Sequence, residues 1–237
     1  MPFESIDTRR LYRQIADQII RLIDSGEYKP GERLPAERLL AERLAVSRPT
    51  VREALIALEV EGRVEIRGGS GVFVLNRPAP SREPEAPTTH GIPTPGPFEV
   101  LFARDLIEPD IAALAAKHAS ERHLGALAQA LGDMVCCSAG DIKRLEYDRV
   151  FHFALAEASG NSALLLAIQA LWTTRVQPVY LCLEDHFHSE QVWQRAIIEH
   201  REILEAIKQG DAKAARVAMH RHMRNVRTRF SSAWRKD

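Results

Sequence analysis

The sequence has few cysteines, and their spacing excludes the usual disulfide and zinc frameworks. Only 3 cysteines occur in 237 residues, at Cys136, Cys137 and Cys182, and no two of them form a CxxC pair. An odd and sparse set of this kind is typical of proteins from a reducing compartment. We therefore expect a cytoplasmic protein without structural disulfides.

Long apolar runs and an excess of charge of either sign are also missing. No run approaches the roughly 20 apolar residues that a membrane helix needs, and the first residues include charged side chains, so we expect neither a membrane span nor a signal peptide. Lys plus Arg equals Asp plus Glu at 32 each. Without a global positive field, contact with nucleic acid requires a local arrangement of basic residues.

Proline is abundant in one segment, and this segment divides the chain. Residues 77–97, "RPAPSREPEAPTTHGIPTPGP", contain seven prolines and few large apolar side chains. Such a composition disfavours regular secondary structure and is typical of an extended linker. We predict an N-terminal domain over residues 1–76 and a C-terminal domain over residues 98–237, both of ordinary domain size.

The first domain has the pattern of a winged helix-turn-helix. "LYRQIADQIIRLIDSG" repeats apolar residues at three- to four-residue steps, and "PAERLLAERLA" and "SRPTVREALIALEVEG" read as two further helices. "RVEIRGGSGVFVL" then alternates apolar residues on both sides of a glycine turn, which predicts a two-stranded hairpin.

The second domain shows helical periodicity throughout. Its apolar stripes and short polar breaks, such as "SGN" and "KQGD", predict a bundle of about six or seven helices. The expected fold is therefore mainly α: a winged helix-turn-helix, a proline-rich linker and an all-α bundle.

The second helix of the helix-turn-helix carries candidate DNA contacts at its N-terminus. Such a helix enters the major groove with its first residues at the base edges. Hydroxyl groups suit phosphate oxygens, and an arginine can bridge O6 and N7 of guanine. A solvated helix face is the alternative for these arginines. The candidates here are Ser47, Arg48, Thr50 and Arg52, with Arg38 on the preceding helix.

The run "PGERLPAERLLAERLAVSRPTVREALIALEVEGRVEIRGGSGVFV" resembles the DNA-binding domain of GntR-type bacterial transcription regulators over Leu11 to Leu75. Some relatives have a histidine in the wing where this chain has Gly68, so that contact is expected to be absent. The resemblance places six residues on DNA-contacting positions: Arg38, Ser47, Arg48, Thr50, Arg52 and Gly69.

Four polar residues fall on inward helix faces of the second domain. Asp148 and His152 are i,i+4 neighbours and share one face, while His200 and His222 lie on apolar stripes further along the chain. Three histidines and a carboxylate suit a divalent transition metal, with zinc as the default and nickel, cobalt, iron or manganese as alternatives. The other interpretation is that each histidine is hydrogen-bonded in the core.

The segments "ARDLIEPDIAALAA", "YDRVFHFALAEASGN" and "EHREILEAIKQGDAKAARVAMHRHM" resemble the effector domain of the FadR-type branch of this family. The resemblance implies that the same four residues hold a metal and that a small carboxylate effector binds beside it. It also implies that Arg104 binds this carboxylate; a salt bridge to Glu108 is the alternative. Arg175 is a weaker candidate for the same role.

Within this branch, the linker and "LWTTRVQPVYLCLEDHF" are more similar to repressors of hexuronate catabolism, of the UxuR and ExuR type. We therefore predict a homodimeric, ligand-responsive repressor, not an enzyme, that binds a pseudo-palindromic double-stranded operator and senses a sugar acid. Alternatives are a regulator that senses another small carboxylate, a metal-dependent hydrolase, and a metal-stabilised bundle without an effector.

Overall fold

The computed structural model describes residues 11–232, except residues 77–94 and the single positions 139, 142, 177 and 188. Most of the predicted linker, residues 77–97, thus lies outside the described residues. The chain divides into two compact units, of which the second comprises Glu99–Val176 and Glu184–Phe230. The domain boundaries predicted from the sequence stay a proposal.

The first unit contains three helices followed by two strands. Its core combines one face of each helix with the inward residues of the strands, for example Ile15, Leu55 and Val72. The turn between the second and third helices contains Ala45 in the left-handed conformation, with φ 53°. The elements are α1 (Leu11–Asp24), α2 (Glu37–Leu44), α3 (Arg48–Val60), β1 (Val64–Arg67) and β2 (Gly71–Val74).

The two strands form the predicted hairpin. They pair antiparallel, with Val64 opposite Val74 and Arg67 opposite Gly71. Gly71 has φ +110°, and a Cβ atom there would meet the guanidinium end of the Arg33 side chain. The backbone conformation at position 71 therefore favours glycine, and any side chain there would also require Arg33 to move.

The described chain after position 95 is helical, and most of it belongs to the second unit, whereas Gln177–Leu183 belongs to the first. Seven α-helices and one short 3-10 helix (Thr174–Val176) follow position 95 in the described part of the chain, in agreement with the six or seven predicted. The α-helices are α4 (Pro97–His118), α5 (Glu121–Cys136), α6 (Arg144–Ala158), α7 (Ser162–Thr173), α8 (Pro178–Phe187), α9 (Glu190–Lys208) and α10 (Ala212–Ser232).

Side-chain caps explain where three of these helices begin. Ser120, Asn161 and Ser189 each accept a hydrogen bond from a backbone N–H in the first turn of α5, α7 and α9, respectively. These bonds satisfy N–H groups that have no partner within the helix.

Among the described residues, no helix has the length and apolarity required to cross a membrane. The predicted fold class, a winged helix-turn-helix with a helical bundle, is confirmed.

Candidate functional site

The third helix of the first unit, α3, begins with a cap made from two of the predicted DNA-contacting residues. The Ser47 side chain accepts a hydrogen bond from the backbone N–H of Thr50 at 3.3 Å, and the two hydroxyl oxygens are 2.7 Å apart. Ser47 is exposed. The two hydroxyl groups therefore lie at a helix N-terminus, where backbone N–H groups favour phosphate oxygens.

Glu37 joins α2 to α3 through two of the predicted arginines. Its Oε2 atom accepts hydrogen bonds from Arg52 Nη2 at 2.7 Å and from Nε at 3.1 Å, and its Oε1 atom accepts from Arg48 Nε at 2.8 Å. The Arg48 side chain is 40% exposed, whereas that of Arg52 is 2% exposed. Arg48 is therefore accessible to DNA, while direct contact by Arg52 requires the Glu37 pair to open.

The remaining predicted DNA-contacting residues lie at the surface. Arg38 is 71% exposed along its side chain and forms an ion pair with Glu42 at 2.6 Å. Gly69 is exposed in the turn between the strands and has φ +73°. A positive φ and the missing side chain allow close approach of the turn to another backbone.

The four predicted ligand residues come together in the second unit. The three histidines are buried, and each offers a ligand atom within 4.8 Å of those of the other two. Asp148 Oδ1 lies 3.1 Å from His200 Nε2 and 3.6 Å from His152 Nε2. The residues come from α6, α9 and α10, so the cluster joins three helices. It contains Asp148, His152, His200 and His222.

Each histidine is oriented by a second partner at its Nδ1 atom. His200 Nδ1 lies 2.7 Å from the carbonyl oxygen of Ala196, and His222 Nδ1 lies 2.7 Å from Glu199 Oε2. His152 Nδ1 lies 2.5 Å from Glu108 Oε2. An Nδ1 atom that donates to such a partner leaves Nε2 available as a ligand.

The Asp148 carboxyl group is strongly biased toward its charged form. Burial alone would raise its pKa, but the adjacent ring nitrogens of His152 and His200 and the charge of Arg175 outweigh burial and hold the pKa well below its usual value. Asp148 is therefore a carboxylate at neutral pH, the form that binds cations.

The pKa values of two of the histidines shift in opposite directions. Burial and the neighbouring His200 lower the pKa of His222 to about 3, so its imidazole is neutral at pH 7. Burial would also lower the pKa of His152, but the charge of Glu108 raises it above the usual value. The Glu108 carboxylate therefore compensates for the burial of His152.

The two predicted effector-binding arginines flank Trp172. The guanidinium carbon of Arg175 lies 4.0 Å from the centroid of the indole ring, and that of Arg104 lies 4.4 Å from it. Arg104 forms the salt bridge to Glu108 considered as its alternative role, at 2.5 Å, and its Nη2 atom is 3.3 Å from His152 Nε2. Arg104 therefore contacts both a carboxylate and the cluster.

Arg175 forms two ion pairs of its own. Its Nη1 atom donates to Asp148 Oδ2 at 2.8 Å, and its Nη2 atom donates to Glu184 Oε1 at 2.6 Å. From the sequence, Arg175 was a weaker candidate than Arg104 for binding an effector. In the structure it directly contacts the Asp148 carboxylate.

A cavity opens beside the cluster within the second unit. It has about 570 Å³ of empty space, part of it continuous with solvent, and Trp193 and Val226 contribute apolar walls. Its charged lining has more arginines than carboxylates. The charged and titratable residues that line it are Arg104, Arg144, Arg175, Arg229, Asp148, Glu184 and His222.

Glu199 is a partner of the cluster that was not predicted from the sequence. Glu199 is 4% exposed and accepts hydrogen bonds from both His222 and Asn225. A signal was present, because Ala196 and Ile203 fall on the same face of α9 at spacings of three and four residues. A carboxylate on a buried face needs a charged or polar partner.

The donor set fits a divalent metal. His200 Nε2 is buried and has no hydrogen-bond partner among the described residues, although it points toward Asp148 Oδ1. Imidazoles with hydrogen-bonded Nδ1 atoms, as in His200 and His222, and carboxylates are the usual ligands of zinc and neighbouring metals. The cluster therefore has the composition of a metal site.

A helix-turn-helix with an accessible arginine and a separate helical unit with a buried polar cavity define a ligand-responsive, DNA-binding transcription regulator. Comparison with known families agrees. Residues 11–74 match the model of bacterial regulatory proteins of the gntR family, and residues 99–225 match the FCD domain. The chain belongs to the GntR family and carries an FCD domain, and this family comprises regulators, not enzymes.

Curated relatives are similar over nearly the whole chain. The Uxu operon transcriptional regulator of Escherichia coli is 38% identical over 94% of this chain and 87% of its own length. The Exu regulon transcriptional regulator of the same organism is also 38% identical, over 94% and 86% of the two chains. The solved structure of E. coli McbR/YncC covers 95% of this chain and 99% of its own, with a TM-score of 0.51 at 22% identity, and supports the fold alone.

The Glu37 pair generates a prediction about the first unit. Glu37→Ala leaves the buried Arg52 guanidinium without this carboxylate, and breaking such a pair costs about 3–5 kcal/mol. We expect faster hydrogen exchange in α2 and α3, measured by mass spectrometry. Glu42→Ala, which removes the exposed partner of Arg38, is the matched control and should change exchange little. Equal effects of the two substitutions on hydrogen exchange would contradict the stabilising role of the Glu37–Arg52 pair.

Proposed function

We propose that this protein is a homodimeric repressor of an operon for hexuronate catabolism, and that a sugar acid releases it from its operator. The observation that carries the proposal is the cationic cavity beside a cluster of three histidines and one carboxylate. A small anion is the ligand that such a lining favours. The similarity to Uxu and Exu regulators supports a sugar acid as this anion.

A divalent metal, zinc in the first instance, would be held by Asp148, His152, His200 and His222. A bound ion of this kind would offer open coordination positions to the carboxylate and an adjacent hydroxyl group of the effector. Arg104 and Arg175 hold the carboxylates of Glu108 and Asp148 in place, and Arg104 is close enough to the cluster to donate to an effector oxygen.

In the DNA-binding domain, Arg48 is proposed to read a base, and Ser47 and Thr50 to bind phosphate. Arg38 and Gly69 would contact the backbone or the minor groove, and Arg52 would hold α3 in position through Glu37. A dimer presents two recognition helices to the two halves of a pseudo-palindrome.

The operator contact can be tested with Arg48→Ala. Loss of a bidentate contact to guanine costs about 1–3 kcal/mol, so affinity should fall by about 5-fold to 150-fold and discrimination at one base pair should relax. The measurement is fluorescence anisotropy with a DNA site selected by the wild-type protein from a random pool. Arg21→Ala, at an exposed position on α1, is the control. Unchanged sequence-specific binding by Arg48→Ala would overturn the assignment.

The metal site can be tested by elemental analysis of His200→Ala. Loss of a direct ligand should weaken metal binding more than the 10-fold to 100-fold typical of an orienting residue. His220→Ala is the matched control, because His220 lies on α10 near His222 but is half exposed and contacts Asp105 at 2.8 Å. Normal metal content in His200→Ala would show that the cluster is not the site.

The effector can be identified by titration calorimetry of the zinc-loaded protein. Glucuronate, galacturonate and fructuronate form the panel, and glucose is the uncharged control. We expect at least one hexuronate to bind and to weaken operator binding by about 5-fold to 150-fold, the usual range of coupling between two sites. A protein that binds none of the three, or binds glucose equally well, would refute the proposed effector class.

A further inference from the structure

Two arginines that line the cavity belong neither to the histidine cluster nor to the ion pairs around it. Arg104 is paired with Glu108, and Arg175 with Asp148 and Glu184. The other two lining arginines have weaker partners: Arg144 Nη1 donates to the carbonyl oxygen of Asp141, and Arg229 Nη1 to that of Val192, both at 3.3 Å.

No carboxylate lies within ion-pair distance of Arg144 or Arg229 in the described part of the chain. The Nε atom of Arg144 is buried and has no hydrogen-bond partner there. The charge of Arg229 acts on Glu199, but that carboxylate already accepts hydrogen bonds from His222 and Asn225. Arg144 and Arg229 therefore give the cavity a surplus of positive charge.

Along their helices, both arginines are offset from the histidines, and Asp148 lies between Arg144 and His152 on α6. On α6, Arg144 precedes His152 by eight residues, which corresponds to about 12 Å along the helix axis. On α10, Arg229 follows His222 by seven residues, or about 10 Å. The bond from Arg229 to Val192 places this end of α10 beside the start of α9, whereas His200 and His222 are adjacent, with ring centroids 4.5 Å apart.

The cavity thus has two ends of different kinds. One end contains the histidine cluster with Asp148, and the other contains Arg144 and Arg229. Five C–C bonds of about 1.5 Å give an extended six-carbon chain a length of roughly 6 Å between its terminal carbons. Since arginine side chains extend inward from their helices, a ligand of this length can reach from one end to the other.

We infer that Arg144 and Arg229 form a second anion subsite, so that the preferred ligand is a six-carbon sugar diacid with a carboxylate at each end. This inference rests on the proposed function, because it assumes that one carboxylate of the ligand binds at the cluster. A guanidinium pair binds a carboxylate through charge-assisted hydrogen bonds. The terminal hydroxyl of a hexonate offers neither the charge nor the second oxygen.

The test compares two ligands that differ only at the far end. Galactarate has carboxylates at both ends, and galactonate has a terminal alcohol in place of one of them. Titration calorimetry of the zinc-loaded wild-type protein should show galactarate binding about 10-fold to 100-fold more tightly. Arg144→Gln and Arg229→Gln should each remove most of this preference by weakening galactarate binding, with less than about a two-fold change for galactonate.

Arg224→Gln is the matched control and should leave both affinities unchanged, because Arg224 is an exposed residue of the same helix as Arg229. Metal content and thermal melting of each variant verify that it is folded. Equal binding of the two acids by the wild-type protein, or an equal loss of both in the variants, would overturn the second subsite and leave the proposed function intact. Failure of the wild-type protein to bind any sugar acid would instead overturn the proposed function.

Discussion

The Asp148 carboxylate is the contact on which the interior of the second unit depends. One of its oxygens faces His200 and His152, and the other accepts a hydrogen bond from Arg175. A single side chain therefore joins α6 to α9 and to the segment that follows α7. Three buried cationic or polar groups would lose this partner without it, and breaking one buried pair alone costs about 3–5 kcal/mol.

Features that depend on neighbours in the sequence were predicted correctly. The i,i+4 spacing of Asp148 and His152 gave their common face, and apolar residues at three- to four-residue steps gave the first helix of the chain. The alternation of valines around the glycine turn gave the hairpin. These predictions succeed because helical and strand periodicity act over only a few residues.

Contacts between distant parts of the chain were not predictable in the same way. Periodicity gives the buried face of α9, but it does not reveal that Glu199 meets His222, 23 positions later. The burial of Arg52 likewise follows from Glu37, 15 positions earlier. A basic residue near the start of a recognition helix can contact DNA or hold the helix in place, and only the packing of α2 on α3 distinguishes these roles.

The two-turn offset between Arg144 and His152 on one helix has an evolutionary consequence. Arg144 and His152 can be substituted independently, because their side chains share no direct contact in the described part of the chain. A lineage can therefore change the wall of the cavity near Arg144 while it retains the histidine cluster. A change in the compound that such a cavity recognises therefore requires few substitutions and no change of fold.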